Sequence, residues 1–191
     1  KFNDGFQALK KDLTLIGEIK SIEANFCFDA MNNRKDSYLF DPKQGGALND
    51  VGSYIIGFIL GLVDSSIDKI ETNMKIENEI ELEFKTYLYF KNGIIGIGEG
   101  SIDYNKERYA LIKGTNGEIY IPNYNRIIDY TIKTKDTTIN RHYPIVGDDM
   151  TMEIQALIDD VNHSRNENEI HSLNDSKYLI ETIEKIRKSI K

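Results

Sequence analysis

A single cysteine, Cys27, among 191 residues rules out an internal disulfide, and three histidines without a second cysteine offer no zinc spacing. Both scarcities fit a reducing compartment, so the cytoplasm is the expected location and no metal site is expected. Basic residues are too scattered among acids to build a phosphate-binding surface; with a formal charge of −7, nucleic acid is excluded as a partner. Long hydrophobic runs are lacking as well. The longest, Val51 to Val63, falls short of a bilayer and is interrupted by Gly52, Ser53, Tyr54 and Gly57, so no membrane span is expected. There is no signal-peptide core, no internal repeat and no low-complexity tract. The chain opens on Lys1 rather than Met, and its native start is expected upstream.

What is present is a patterned chain long enough to bury a core. Asn3 and Asp4 precede Phe6, Leu9, Leu13 and Ile16 at spacings of three and four, which predicts a capped amphipathic helix ended by Gly17. From Glu18 the period becomes two, placing Ile22, Ala24, Phe26 and Phe28 on one face of a strand. Asp29 to Lys43 has no period and reads as a loop that carries Arg34 toward a central helix. Strands are predicted at 70–76, 80–90, 93–103, 107–113, 118–121 and 126–133, with a turn at Lys91-Asn92-Gly93. Two helices close the chain. Met150, Ile154, Leu157, Ile158 and Val161 form one apolar stripe behind Asp148 and Asp149, and Leu179, Ile183, Ile186 and Ile190 form another behind Asn174 and Asp175. Helices at both ends and strands between them predict one α+β domain over residues 1–191, an open, mainly antiparallel sheet with helices packed on one face. The other face, with Tyr87, Tyr89 and Ile94 among charged residues, is expected to pair copies into a homo-dimer or tetramer.

The chain is organised around Gly45 to Gly61. Leu48, Val51, Ile55, Phe58, Ile59 and Leu62 make this helix apolar on most sides, yet Asp50 and Tyr54 stand at i and i+4 on one face. A carboxylate and a phenol on a buried helix need partners or a use. Spacing leaves two readings open: Asp50 paired locally beside a core Tyr54, or the two together as catalytic residues. Gly45 and Gly46 uncover backbone N–H groups at the helix start, where an anion or an approaching cofactor is expected. The loop can place Arg34 near this helix, and His142, in the loop Arg-His-Tyr-Pro, reads first as a surface histidine and in reserve as one that reaches a cleft. By contrast, Glu71, Glu77, Glu79, Glu81 and Glu83 recur with period two and read as solvated charge. The glycines from Gly93 to Gly100 do not make a dinucleotide fingerprint, because Ser101 stands where its last glycine belongs and the stretch lies inside a strand pattern. Alternate glycines there are expected to admit a closely packed helix.

Gly45-Gly-Ala-Leu-Asn-Asp50-Val-Gly52-Ser-Tyr54, preceded by Phe40-Asp-Pro-Lys and followed by Leu60-Gly61, resembles the signature helix of the Gfo/Idh/MocA oxidoreductases. Ile112-Lys-Gly114-Thr115-Asn-Gly117-Glu-Ile119-Tyr-Ile121-Pro122 is similar to the family's Gly-Thr-x-Gly strand pair. The segments from Gly147 to Ile154 and from Ser172 to Ile186 are similar to its last two helices, so the resemblance covers nearly the whole chain. It is to the second half of these enzymes alone. Their first half is a Rossmann domain that binds NAD or NADP and carries the Lys of a Glu-Lys-Pro motif; neither that motif nor GxGxxG occurs here. The resemblance implies the substrate-binding and oligomerisation domain of an NAD(P)-dependent oxidoreductase, inactive by itself, whose substrate is a sugar-like or other hydroxylated small molecule. Asp50 falls on the family's Asp, and Tyr54 on a position held by His in many members and Tyr in others. By the resemblance Tyr54 is the acid/base and Asp50 orients the reacting hydroxyl and the missing domain's Lys; Asn49 is a substrate-binding candidate, as are Arg34 and His142 by their positions in loops. Gln44 stands where a third glycine is usual and Asn49 where an apolar residue is usual, departures that bear on the substrate. The alternative, from another class, is a non-catalytic binding or oligomerisation module that kept the fold.

Overall fold

The computed structural model describes residues 1–32, 34, 36–145, 147, 148 and 150–190. Its strands are β1 (Ile19–Cys27), β2 (Ile67–Glu77), β3 (Ile80–Phe90), β4 (Ile95–Ser101), β5 (Tyr109–Gly114), β6 (Gly117–Pro122), β7 (Asp129–Thr134) and β8 (Thr138–His142). They form one open sheet in the order β2-β3-β4-β1-β5-β6-β7-β8. β1 pairs parallel with β4, and the other neighbours pair antiparallel. The mainly antiparallel α+β architecture expected from the alternation is therefore the one adopted.

The helices are α1 (Asp4–Asp12), α2 (Ala47–Asp50), α3 (Gly52–Leu62), α4 (Thr151–Asn162) and α5 (Leu173–Lys188). α2 lies on β3 and β4, α3 on β1 and β4, and α5 on β2 and α3, so the core forms under one face of the sheet. Glycines set the depth of that packing. A Cβ on Gly96 would sit 2.8 Å from Ile59, and one on Gly98 would sit 2.9 Å from Ile55, so these positions on β4 let α3 seat directly on the strand. Asn3 caps α1 by accepting from the Phe6 N–H, and Ser172 with Asp175 forms a capping box at the start of α5.

Three local expectations are corrected. The stretch expected as one helix is two, α2 and α3, joined at Val51; Ser53 Oγ donates to the Asp50 carbonyl at 3.0 Å, next to the junction. His142 lies on a strand rather than in a loop: β8 alternates polar residues at an exposed edge, and its pairing with β7 is its only strand signal. The apolar stripe of α4 stays open, with Met150, Ile154, Leu157, Ile158 and Val161 each 46% to 68% exposed. Asp148 bonds the N–H of Met150 at the start of that helix, while Asp149, expected as its second cap, lies outside the described residues.

Candidate functional site

Because β1 and β5 pair antiparallel, the end of β1 lies beside the start of β5, and the polar cluster assembles there. Phe26, near the end of β1, is its floor. The Tyr54 ring packs on Phe26 at 5.7 Å between centroids, and the Arg108 guanidinium lies over the same ring, 3.3 Å from its centroid. Phe28 continues the floor 6.1 Å from Phe26, and Arg34 sits over it at 5.7 Å. Arg34 thus lies beside the cluster, at the Phe28 end of the floor.

Asp50 ends α2 and Tyr54 lies in the first turn of α3, as the i, i+4 spacing requires, but Asp50 takes its partner from elsewhere. Tyr38, in a single 3-10 turn from Tyr38 to Phe40, donates its hydroxyl to Asp50 Oδ1 at 2.7 Å. That hydrogen bond and the charge of Asp50 raise the Tyr38 pKa above its ordinary value. The Tyr54 hydroxyl has no hydrogen bond among the described residues, and its side chain is 53% exposed. The reading of Tyr54 as a core aromatic is thereby corrected.

Gly45 and Gly46 serve the turn. A Cβ on Gly45 would lie 2.3 Å from the Leu39 carbonyl oxygen, and Gly46 has a φ of +91°. Their N–H groups donate to the carbonyls of Asp41 and Leu39 at 2.7 and 2.8 Å. Both glycines are buried, so the expected acceptance of an anion or cofactor there is corrected: the donors are already used. Asn49 is engaged too. Its Nδ2 donates to the Gly45 carbonyl at 2.9 Å, and its Oδ1 accepts from Arg187 Nη2 at 2.7 Å. Arg187 also grips Glu81 through Nε at 2.6 Å and Nη2 at 3.2 Å. Glu81, whose side chain is only 12% exposed, is therefore a tie to α5 and not solvated charge. His142 is held by Asp129 through Nδ1 at 2.7 Å, on the edge strand.

Three residues that carry no pattern of their own join the cluster. Arg108 donates through Nη1 to Asn125 Oδ1 at 3.0 Å, and burial draws its pKa down while Tyr124 and Tyr54 oppose that shift. Tyr124 is buried with its hydroxyl unpaired among the described residues, and burial raises its pKa, keeping the phenol neutral. Asn125 lines a cavity of about 270 Å³ beside Tyr54, whose apolar wall is Phe6 and Phe58. Finding Arg108 from sequence requires knowing that β5 neighbours β1. Among the described residues no group of three His, Cys, Asp or Glu could hold a metal ion, and no helix is long and apolar enough to cross a membrane.

An open, mainly antiparallel sheet with helices on one face matches the C-terminal-domain fold of known oxidoreductases. The chain belongs to the GFO/IDH/MocA family, whose C-terminal domain matches residues 11–120. It is similar to an aldose-aldose oxidoreductase from Caulobacter crescentus complexed with glycerol, at 14% identity and a TM-score of 0.80, over 97% of this chain and 57% of that one. A 3-ketoreductase from Actinomadura kijaniata, in complex with TDP-benzene and NADP, is similar at 17% identity and a TM-score of 0.79, over 99% of this chain and 60% of that one. Levoglucosan dehydrogenase, in complex with NADH and levoglucosan, gives 18% and 0.79, over 97% and 60%. At such identities the likeness is one of fold, and the chain spans 57% to 60% of the length of these relatives. No curated protein matches it in sequence.

Proposed function

We propose that this chain is the substrate-binding and oligomerisation domain of an NAD(P)-dependent oxidoreductase that acts on a sugar-like or other hydroxylated substrate, completed by a nucleotide-binding domain upstream. The observation that carries the reading is the contrast between the two phenols. Tyr38 is spent on Asp50, whereas Tyr54 presents a hydroxyl that bonds nothing among the described residues, at the open edge of the Phe26 floor. A nicotinamide would supply the hydride acceptor or donor. The N–H groups of Gly45 and Gly46 are already bonded and would not hold the phosphates of the nucleotide, so the role proposed for this chain is toward the substrate.

In that part Tyr54 exchanges a proton with the reacting hydroxyl through Oη. Asp50, fixed on one oxygen by Tyr38, orients the same hydroxyl with the other. The Phe26 and Phe28 rings carry the Arg108 and Arg34 guanidinium groups, which would meet polar groups of the substrate. Assembly through the uncovered sheet face is supported by Tyr87 opposite Ile97 and Tyr89 opposite Ile95. Ile94, expected in that patch, packs against the core instead.

The test is reduction of NAD⁺ or NADP⁺ by the full-length protein across a panel of sugars, sugar acids and polyols. Turnover with at least one is expected; none with any member, from protein that binds neither nucleotide, leaves the non-catalytic module.

A further inference from the structure

We propose that Arg108 is the specificity-determining residue of this site, and that it selects a substrate bearing an anionic group, a carboxylate or phosphate ester, held across Asn125 from Tyr54. The inference rests on the hydroxylated-substrate reading above and adds the charge of the substrate to it. Arg108 has five N–H donors in a flat fork. One bonds the neutral amide of Asn125, and Nε is buried with no partner among the described residues. No carboxylate among them forms an ion pair with this guanidinium, although Arg141, Arg165 and Arg187 each have one. A half-buried cation stacked on Phe26 and lacking a counter-ion is poised to take one from a ligand.

The surroundings fit. Arg108 lines a cavity of about 430 Å³ with a second guanidinium, Arg126, and the amides of Asn123 and Asn125. The carboxylate on its wall, Asp129, is engaged by His142 Nδ1 at 2.7 Å. Asn125 also lines the cavity beside Tyr54, so its side chain borders both spaces. Tyr54 and Arg108 share the Phe26 ring, so one ligand can offer its hydroxyl to the first and its anion to the second. Arg34, the cation expected from sequence, lies over Phe28 at the other end of the floor and lacks this enclosure.

The test is calorimetric titration of the full-length protein, saturated with its nicotinamide nucleotide so that the nucleotide site is closed, with D-glucose, D-glucuronate and D-glucose 6-phosphate. At least one acid should bind about 10- to 100-fold more tightly than glucose, the range a charge-assisted pair supplies, and which acid does so separates carboxylate from phosphate ester. Arg108→Gln should erase the preference. Arg108→Lys should keep part of it, since it restores the charge without the fork, and it decides the matter if the Gln variant does not fold. Equal binding of all three sugars, or a preference that survives Arg108→Gln in folded protein, overturns the proposal and leaves the hydroxylated-substrate reading standing. Arg108-dependent binding of inorganic phosphate without binding of any sugar supports the anion site and overturns that reading instead.

Discussion

Tyr38 donates its hydroxyl to Asp50 Oδ1 at 2.7 Å, closing the turn before α2 onto the residue that ends it. The contact divides the labour of the two neighbouring phenols, because a hydroxyl committed to a carboxylate is a poor proton acceptor and an uncommitted one is available. It also gives Asp50 one fixed oxygen.

Tyr38 should therefore titrate above the ordinary tyrosine value, and its midpoint should fall in Asp50→Asn, where neither charge nor anionic acceptor favours the protonated phenol. Any stability this contact adds is present below the unfolded tyrosine value of about 10 and is lost as pH rises through the higher folded value. The ring-carbon shift of Tyr38, followed by NMR against pH, checks it. An unchanged midpoint in the variant would mean that the contact does not form in solution.

Gly45→Ala should disrupt this arrangement with both bonding side chains left in place. The new methyl would lie 2.3 Å from the Leu39 carbonyl and 2.5 Å from that of Tyr38, so the turn must move away from α2. A loss of about 1–3 kcal/mol in urea denaturation is expected, the usual cost of overpacking, together with loss of the raised Tyr38 titration.

A second carboxylate anchors the far side of the sheet. Asp12 accepts from Tyr130 Oη at 2.7 Å and from Arg141 Nε at 2.8 Å, tying α1 to β7 and β8. Burial pushes the Asp12 pKa up, but hydrogen bonds from Arg141 and Tyr130 outweigh it and leave the value below normal. Its contribution is fully present above the unfolded aspartate value of about 3.9 and is lost as pH falls through the lower folded value. Asp12→Ala should cost about 2–3 kcal/mol at neutral pH, since it strands a buried phenol and a guanidinium, and the difference from the parent should shrink in acid. Denaturation midpoints at neutral and acid pH measure both.

Much of this architecture is legible in the residue pattern. The alternation from Ile80 to Phe90 fixes β3 to the residue, and the spacing of Gly96 and Gly98 marks where α3 lies on the sheet. β8 is not legible, because an edge strand with Thr138, Asn140 and His142 facing water has no apolar period to betray it. The site divides in the same way. Asp50 and Tyr54 stand out because they interrupt a greasy helix. Tyr38 and Arg108 reach the cluster only through tertiary contacts, one from an aperiodic loop and one from the residue just before the strand that folds back beside β1. Asn49, Gly45 and Gly46 show the converse error: polar or backbone groups at a signature motif that packing has already used.

Assembly through the uncovered sheet face has its own test. Ile97 lies opposite Tyr87, and a charge there should oppose burial of the patch. Ile97→Lys is expected to shift the full-length protein from dimer or tetramer to a smaller species in light scattering at unchanged helix content. An unchanged mass would place the interface elsewhere, with the open stripe of α4 the next surface to vary.

The most direct test of the account is the turnover number of full-length Tyr54→Phe on a substrate identified by the panel, at saturating nucleotide. The substitution removes one oxygen that bonds nothing among the described residues, so folding and the Phe26 contact should survive. General acid/base groups contribute about 10²- to 10⁴-fold, and kcat should fall by that factor while the KM for nucleotide stays put. A folded Tyr54→Phe enzyme that keeps the parent kcat would remove Tyr54 from the chemistry and contradict the account.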